Sequence, residues 1–574
     1  MSNAYFQMEG LELAKAFGTV WKYIAPFIAL IILWRVARPL LGFRQEPETW
    51  AWLQLSDGQK LPVTHWESIL GSAGSCDIIL DFATVSRSHA VLTRYDDGSW
   101  SITDIGGKNA VYVNKKKVSV AALKYGDKIS LGGVELKLLP FSGEEIREQN
   151  RERTRPVEQS LPSVTLLILT LFQFFTGLCL WMVCKPAFAS QVFSGFLLLM
   201  IIEWGLFFVI RITGRSGFEL ETMAFFLCTL GLSVIASDSP GEIQKQILCI
   251  LGGVIIYLII ALSLRNLNGA KTFRYIAAVA GIGLLLLNLI IGQEINGARN
   301  WIDLGVFTLQ PSELVKLCFI YVGASTMDRI VSKRNVISFI IYSVIVCGCL
   351  VIMNDFGAAL IFFMTFLVVA YLRSGSVATI ALALTALAFA AMIVIVYFGN
   401  HVEARFSAWG HVWEDPYNKG YQQTRSMIRM AVGGFFGVGV GQGWLKAVAA
   451  SDTDLVFAFI SEEWGLIMAV IMALSLVVPA VFVLRSARVG RSSFYTIGAS
   501  AAVAIMLTQA ILNIFGTMDL LPLTGVTLPF VSNGGSSMLC CWGLIAFIKG
   551  ADTRQNASIA VKAQRAVKEE DEDE

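Results

Sequence analysis

The sequence predicts a polytopic α-helical membrane protein interrupted by one soluble all-β sandwich, and three observations predict it. The chain is 55% hydrophobic and only 15% charged over 574 residues, with a mean hydropathy of +0.63, beyond the balance of an ordinary soluble chain. Apolar runs close to the ~20 residues that a bilayer crossing requires recur along most of its length. Residues 48–140 break that habit. Short alternating runs there, such as Trp50-Ala-Trp-Leu-Gln-Leu55 and Ala90-Val-Leu-Thr-Arg94, are divided by Asp-Gly and Gly-Gly turns, the pattern of sandwich strands.

The elements follow in order. Residues 1–47 hold a first apolar stretch near 17–37 with Glu9 and Glu12 before it and no cleavage pattern after it, so an uncleaved membrane anchor is expected. The β block 48–140 comes next, then a charged linker over 141–160. Residues 161–213 predict an extra pair of spans, with Glu203 as the single unusual residue. Residues 214–550 contain further apolar segments near 218–238, 243–264, 272–292, 312–328, 335–353, 356–373, 376–399, 454–485, 493–516 and 534–549. An acidic tail, 551–574, ends Glu569-Glu-Asp-Glu-Asp-Glu574 and is expected to be solvated. Ten cysteines show no metal-type spacing, and most, such as Cys228, Cys347 and Cys540, sit in apolar runs as small hydrophobes. A net charge of +2 gives no nucleic-acid signal.

Charge placement is more informative than its sum. Arg35, Arg38 and Arg44, then Arg147 to Arg155, then Arg211 and Arg215, then Arg265, Lys271 and Arg274, then Lys333 and Arg334, then Arg373, then Arg485, Arg488 and Arg491 mark every second connection. The positive-inside rule makes those connections, the β block and the tail cytoplasmic. Connections near 293–311, 400–452 and 517–533 are then extracytoplasmic, and most of the unusual polar motifs fall there. The longest holds Trp413-Glu-Asp-Pro416, Gly420-Tyr-Gln422 and a glycine ladder from Gly433 to Gly443. Long polar loops between spans tend to carry function.

Several motifs recur in one order: Asn296-Gly-Ala-Arg-Asn-Trp301 with Gln310-Pro-Ser-Glu-Leu-Val-Lys316; Asn354-Asp-Phe-Gly357; Trp413-Glu-Asp-Pro416; Thr453-Asp-Leu-Val-Phe-Ala458 with Glu462-Glu463; and Leu521-Pro-Leu-Thr-Gly525 through Gly534-Gly-Ser-Ser537. In these the segment 218–550 resembles the SEDS family, the FtsW/RodA/SpoVE group of peptidoglycan polymerases. The resemblance implies a ten-helix core with about three spans added, lipid II and a nascent glycan strand as substrates, and Asp415 as the essential acid. It implies a class B penicillin-binding protein, a transpeptidase, as partner, in a bacterial cytoplasmic membrane.

The chemistry agrees. A sugar on a polyprenyl pyrophosphate already has a good leaving group, so one carboxylate that accepts the proton of an attacking 4-hydroxyl suffices for an inverted β-1,4 link, unlike a glycosidase pair. Arg299, Lys316, Arg405, Arg425 and Arg429 are the cations expected to hold the pyrophosphate. Trp301, Glu313, Asp355, Trp413, Gln422, Asp454, Glu463 and Ser536 complete the substrate-binding set. Plainer readings stay open. Asp415 suits an Asx turn before Pro416, Glu313 and Lys316 suit an ion pair at helical spacing, and Asp355 suits a helix cap. The glycines suit close packing, the preferred reading, or a re-entrant turn. Asn300, Arg425 and Asn533 depart from the family's usual residues. No cofactor is required; a divalent cation, Mg or Mn, would ease departure of a pyrophosphate.

The β block resembles a forkhead-associated (FHA) domain, the phosphothreonine-reading sandwich, in Ser86-Arg-Ser-His89, Asp104-Ile-Gly-Gly-Lys-Asn109 and Tyr112-Val-Asn114. Ser86, Arg87 and Asn109 would donate to a phosphate, so a Thr-phosphorylated cytoplasmic protein is an expected partner. Gly71-Ser72 stands where the family has Gly-Arg, and Ala110 follows Asn109 where Gly is usual; His89 reads as a core residue. Two other functions remain beside polymerisation: a flippase for the same lipid, and an inactive signalling scaffold.

Overall fold

A computed structural model describes residues 2–42, 49–74, 76–95, 98–142, 145, 161–215, 217–265, 267–295, 298–303, 305, 308–327, 333–374, 378, 380–386, 388, 409–487, 489–490, 492–554 and 557. Arg405, most of the segment 376–399, most of the linker and nearly all of the acidic tail lie outside them.

The β block is the expected sandwich. Strands β1 (Ala51–Leu55), β2 (Lys60–Val63), β3 (Glu67–Gly71), β4 (Ile78–Ile79), β5 (Ala90–Arg94), β6 (Trp100–Asp104), β7 (Val111–Val113), β8 (Lys116–Val118), β9 (Val120–Leu123), β10 (Lys128–Leu131) and β11 (Val134–Leu139) form two sheets. One is ordered β2-β1-β11-β10-β7-β8 and the other β4-β3-β5-β6-β9. Alternation sets the register: Leu53 faces Leu138, and both are fully buried with Leu92, Ile102 and Ile129 between the sheets.

The helices are α1 (Ser2–Gly42), α2 (Pro162–Val183), α3 (Ala189–Ile212), α4 (Glu219–Asp238), α5 (Ile243–Ser263), α6 (Leu267–Ile291), α7 (Pro311–Met327), α8 (Lys333–Ile352), α9 (Phe356–Ser374), α10 (Tyr421–Gly433), α11 (Val456–Glu463), α12 (Leu466–Ser486), α13 (Ser493–Thr517) and α14 (Gly535–Gly550). Among the described residues nine are long and apolar enough to cross a membrane, and α9 and α14 are shorter apolar helices. The chain is a multi-pass membrane protein. One expected span, 454–485, is corrected: it breaks at Trp464-Gly465 into α11 and α12, because Gly465 sits at φ +88°, a left-handed value that ends a helix.

The anchor and the extra pair form one added layer. Helix α1 packs on α2, α4 and α12, and α2 packs on α3 and α4. Phe172 of α2 is the hub, with ring centroids 5.7 Å from Trp21, 5.6 Å from Phe226 and 5.9 Å from Trp464. Glu203 is buried in the same layer and accepts from Gln173 Nε2 at 2.5 Å.

The sandwich mounts on one end of the bundle. His65 Nδ1 donates to the Gly490 carbonyl at 2.6 Å, and Trp66 meets Tyr495 edge to face. Helix α13 runs from that mount for 25 residues, ~37 Å at 1.5 Å per residue. At its far end Asn513 Nδ2 donates to the Asp454 carbonyl at 3.0 Å, and Asp519 Oδ1 accepts from Gly410 N at 3.1 Å. The sandwich and the Asp415 loop therefore occupy opposite ends.

A buried charge cluster closes the sandwich end. Lys549 Nζ donates to Glu221 at 3.2 Å and to the Gly217 carbonyl at 2.8 Å, and Arg554 pairs with Asp552 at 2.6 Å and Glu219 at 3.1 Å. Burial alone would raise the Asp552 carboxyl, but the Arg554 guanidinium and Lys549 outweigh it and hold it below the usual range. A depressed carboxyl contributes stability that is present above its unfolded value of about 3.9 and is lost as pH falls through its folded value. Arg554→Ala leaves two carboxylates without their partner and is expected to cost about 3–5 kcal/mol. Thermal unfolding of the detergent-solubilised chain checks this: a parental midpoint for Arg554→Ala at pH 7 contradicts it, as does a midpoint that rises when parental protein is taken below pH 4.

Candidate functional site

The Asp415 turn is built by its own backbone. Gly420 N donates to the Asp415 carbonyl at 3.0 Å, and the Asp415 side chain accepts from Asn418 Nδ2 at 2.9 Å and Lys419 N at 3.5 Å. This is the Asx-type arrangement. Gly420 is required, because a Cβ there would run into the Val412 backbone. The turn leaves Asp415 half-buried between Trp413 and Tyr417, whose side chains are 59% and 77% exposed. Two exposed aromatic residues, each two positions from the acid along the chain, offer ring surface on which a sugar can stack.

Helix α10 follows directly. Gln422 Nε2 donates to the Ala449 carbonyl at 2.9 Å, tying its first turn to the loop before α11. Arg425 lies 5.2 Å from the Tyr421 ring and 5.7 Å from the Tyr417 ring, and Arg429 lies 4.2 Å from the Trp444 ring. Their spacing of one helical turn puts both guanidinia on one face. The Nε atom of each is buried without a hydrogen-bond partner among the described residues, and a buried donor left unmet favours an anionic acceptor.

Beneath α10 the glycine ladder is a turn-rich loop, not merely a packing face. Gly434, Gly437, Gly439 and Gly441 all have positive φ. Two adjacent glutamates hold it. Glu462 accepts from Trp444 N at 2.9 Å and Leu445 N at 2.8 Å; Glu463 accepts from Gly441 N at 2.8 Å, Gly443 N at 3.0 Å and Ser237 Oγ at 2.6 Å. Both carboxylates are buried, so Glu463, expected among the substrate contacts, sits behind the loop and shapes it. Lys22 and Tyr23 of α1 reach the same loop, through the Gly437 carbonyl at 3.3 Å and the Phe436 ring at 5.1 Å. Charge spacing alone could not reveal those contacts.

A second group gathers around strands β12 (Gln293–Ile295), β13 (Ala298–Asp303) and β14 (Thr308–Leu309). Arg299 N donates to the Met353 carbonyl at 3.0 Å and leaves an exposed side chain, while Trp301 is half-buried on the same strand. Asp355 accepts from Ala358 N at 2.9 Å as a helix cap and from Asn300 Nδ2 at 2.7 Å. Asn300 thus has a partner of its own at a position that departs from the family. Ser536 Oγ accepts from Gln310 N at 2.9 Å, and Glu313 and Lys316 form a buried ion pair at 2.5 Å. Among the described residues no hydrogen bond or ion pair joins Arg299 or Trp301 to the Asp415 turn. The connection after α13 reaches both groups: Asp519 meets Gly410 and Asn533 Nδ2 donates to Asp452 at 2.8 Å on one side, and on the other a Cβ at Gly357, two residues after Asp355, would meet Thr524 and Val526. Asp454 presents its carbonyl to Asn513 and Thr517. Among the described residues no three His, Cys, Asp or Glu side chains are grouped to hold a metal.

In the sandwich, Ser86 Oγ accepts from Lys108 N at 2.9 Å, Asn109 Nδ2 donates to the Thr84 carbonyl at 2.9 Å, and Ser72 Oγ donates to the Val85 carbonyl at 3.0 Å. These bonds bring three loops together at one pole with Arg87 exposed. His89 is fully buried and accepts from Ser86 N at 3.1 Å. The mount, His65 and Trp66, lies at the start of β3 and Gly71-Ser72 at its end, so the recognition pole faces away from the bundle by roughly 17 Å at ~3.3 Å per residue.

Comparison with known proteins adds five findings. The model of the FtsW/RodA/SpoVE family, described as a cell cycle protein, matches residues 219–557, and the FHA domain model matches residues 69–132. The peptidoglycan glycosyltransferase RodA of Mycobacterium tuberculosis (strain ATCC 25618 / H37Rv) is 31% identical over 327 residues, covering 53% of this chain and 69% of that protein. The probable peptidoglycan glycosyltransferase FtsW of Nitrosococcus halophilus is 35% identical over 286 residues, 47% of this chain and 73% of that protein. A solved chain described under polymerization and crosslinking by a peptidoglycan synthase complex is 24% identical, with a TM-score of 0.48, over 58% of this chain and 96% of its own.

The carboxylate pins can be tested directly. Glu462→Ala strands the amides of Trp444 and Leu445, at about 1–3 kcal/mol for each buried donor left unmet, whereas Glu462→Gln keeps one acceptor oxygen. The alanine variant is expected to unfold several degrees below the glutamine variant in detergent; equal midpoints for both and the parent would show that the loop does not depend on this residue.

Proposed function

The chain belongs to the FtsW/RodA/SpoVE family, and from that premise we propose that it is a peptidoglycan glycosyltransferase that polymerises lipid II through the carboxylate of Asp415. The observation that carries this reading is the half-buried Asp415, flanked by open Trp413 and Tyr417 and followed one helix later by two arginines with unmet buried donors.

The reaction follows from that arrangement. The 4-hydroxyl of one lipid-linked sugar attacks the anomeric carbon of the other, and Asp415 accepts its proton. The new C1–O4 bond forms opposite the breaking C1–O bond, so the α-linked donor gives a β-1,4 link. The electron pair of the broken bond leaves on polyprenyl pyrophosphate, which Arg425 and Arg429 are placed to hold. Arg299, exposed on β13, is a further cation for the same anion. A divalent cation bound to the pyrophosphate would ease its departure by offsetting the charge that develops there. The positive-inside pattern puts the sandwich and the tail in the cytoplasm and the Asp415 turn outside, where the assembled precursor meets it. A class B penicillin-binding protein would then cross-link the product, and a Thr-phosphorylated protein would dock at the outward pole of the sandwich.

Purified full-length protein supplied with lipid II is expected to form glycan polymer, and Asp415→Asn and Asp415→Ala to lose it by about 10²–10⁴-fold while still folding. Parental polymer yield in both variants rules out Asp415 as the base, and lipid transport without any polymer favours the flippase reading. For the sandwich, full-length protein in nanodiscs is expected to bind a phosphothreonine peptide, about tenfold more weakly in Ser86→Ala, as loss of one charge-assisted hydrogen bond requires. Equal binding of phosphorylated and unphosphorylated peptide would instead leave the domain a plain protein-binding surface.

A further inference from the structure

A cavity of about 560 Å³ opens at the bundle end that carries the Asp415 turn, and Asp415, Arg425 and Arg429 take no part in its walls. Its size falls within the ~300–1,000 Å³ usual for small-ligand sites. One wall is the end of α2 and the turn to α3, another is the α4–α5 connection, and the third is the glycine loop at Gly441 and Lys446. The first wall lies outside the family-matched stretch 219–557, so the cavity exists because this chain adds those helices.

Its chemistry is two-sided. Leu180, Val183 and Phe188 make an apolar wall, and the adjoining surfaces of α2 and α3 expose Trp181 and Phe193 to the surroundings. Lys185 and Lys446 come from separate elements. The acids in the lining are already engaged: Asp238 accepts from Ser451 Oγ at 2.7 Å, and Glu242 pairs with Lys245 at 3.0 Å. Lys446 Nζ reaches only the Gly441 carbonyl, at 3.3 Å, and Lys185 Nζ makes no hydrogen bond or ion pair among the described residues. Lys446 lies within electrostatic reach of the Asp238 and Glu463 carboxylates but bonds to neither, so two cations with donors to spare stand beside an apolar wall, an arrangement that suits an anion carrying a hydrocarbon chain.

We propose that this cavity binds a lipid-linked phosphate, its head on Lys185 and Lys446 and its chain along Leu180, Val183 and Phe188. Ser237 in the α4–α5 wall donates to Glu463, which holds Gly441 and Gly443. An occupant therefore bears on the loop that underlies α10. The inference stands on the cavity and not on Asp415 chemistry, so the test reads binding and not polymer.

Native mass spectrometry of the full chain, titrated with a polyprenyl monophosphate, with phosphatidylglycerol and with inorganic pyrophosphate, counts bound molecules. The parent and Asp415→Asn are expected to hold one more lipid-linked phosphate than Lys185→Gln/Lys446→Gln, whose affinity at this site falls about thirtyfold at ~1 kcal/mol for each lysine. Gly241→Trp, which fills the mouth toward Phe188, should abolish the same event without changing charge. Preference for the prenyl chain identifies a cell-wall lipid, and equal binding of phosphatidylglycerol identifies bulk anionic lipid; either supports the site. The same stoichiometry and affinity in parent and double variant overturns it, and so does displacement by pyrophosphate as effective as by lipid.

Discussion

Two neighbouring carboxylates, Glu462 and Glu463, hold the end of the bundle where the candidate chemistry lies. Buried charge is costly unless it is paired or hydrogen-bonded, and here four backbone amides of the glycine loop and the Ser237 hydroxyl supply the bonds. The loop can offer consecutive amides because its glycines accept left-handed backbone that other residues resist. The same arrangement interrupts the helix at Gly465, where a Cβ would collide with the Phe435 backbone. Arg429 leans on both products of this fold, the Glu462 carboxylate at 3.8 Å and the Trp444 ring. The direction of α10, and so the place of Arg425 and Arg429 beside the Asp415 turn, follows from the pins.

The added N-terminal layer meets this loop as well. Helix α1 ends at Gly42, a few residues before the first strand of the sandwich, and touches the glycine loop midway along its length with Lys22 and Tyr23. The sandwich is mounted by the pole that does not carry Ser86 and Asn109. A ligand at the free pole would therefore leave the mount intact, and both α1 and α13 run from the sandwich end toward the end that carries the Asp415 turn.

Much of the fold was legible because its signals are local. Leu53 and Leu138 announce a sandwich by period-two alternation, and the long helices announce themselves by length and apolarity. The break at Trp464-Gly465 was not legible: the run 454–485 is hydrophobic on both sides of Ser461-Glu-Glu463, a buried acid pair can sit inside an unbroken span, and contact with the glycine loop imposes the left-handed residue two positions on. Nor could the ladder's spacing tell a packing stripe from a loop, since glycine serves both. Asp415, Arg425 and Arg429 were readable as neighbours along one turn and one helix. Arg299, Asp355 and Ser536 fall into a separate group whose link to that turn runs through residues 519–533, a tertiary connection that no motif spacing encodes. Asn533 departs from the family, and its partner Asp452 explains what it does here.

The central claim is that a single acid works at the membrane face away from the sandwich, where assembled precursor is present. A membrane-impermeant thiol reagent applied to intact cells tests it, with Lys419→Cys beside the acid and Lys117→Cys in the sandwich, each in a Cys184→Ser background. The account predicts that position 419 is labelled from outside and position 117 only after the membrane is opened. Labelling of 117 in intact cells with 419 protected would contradict it.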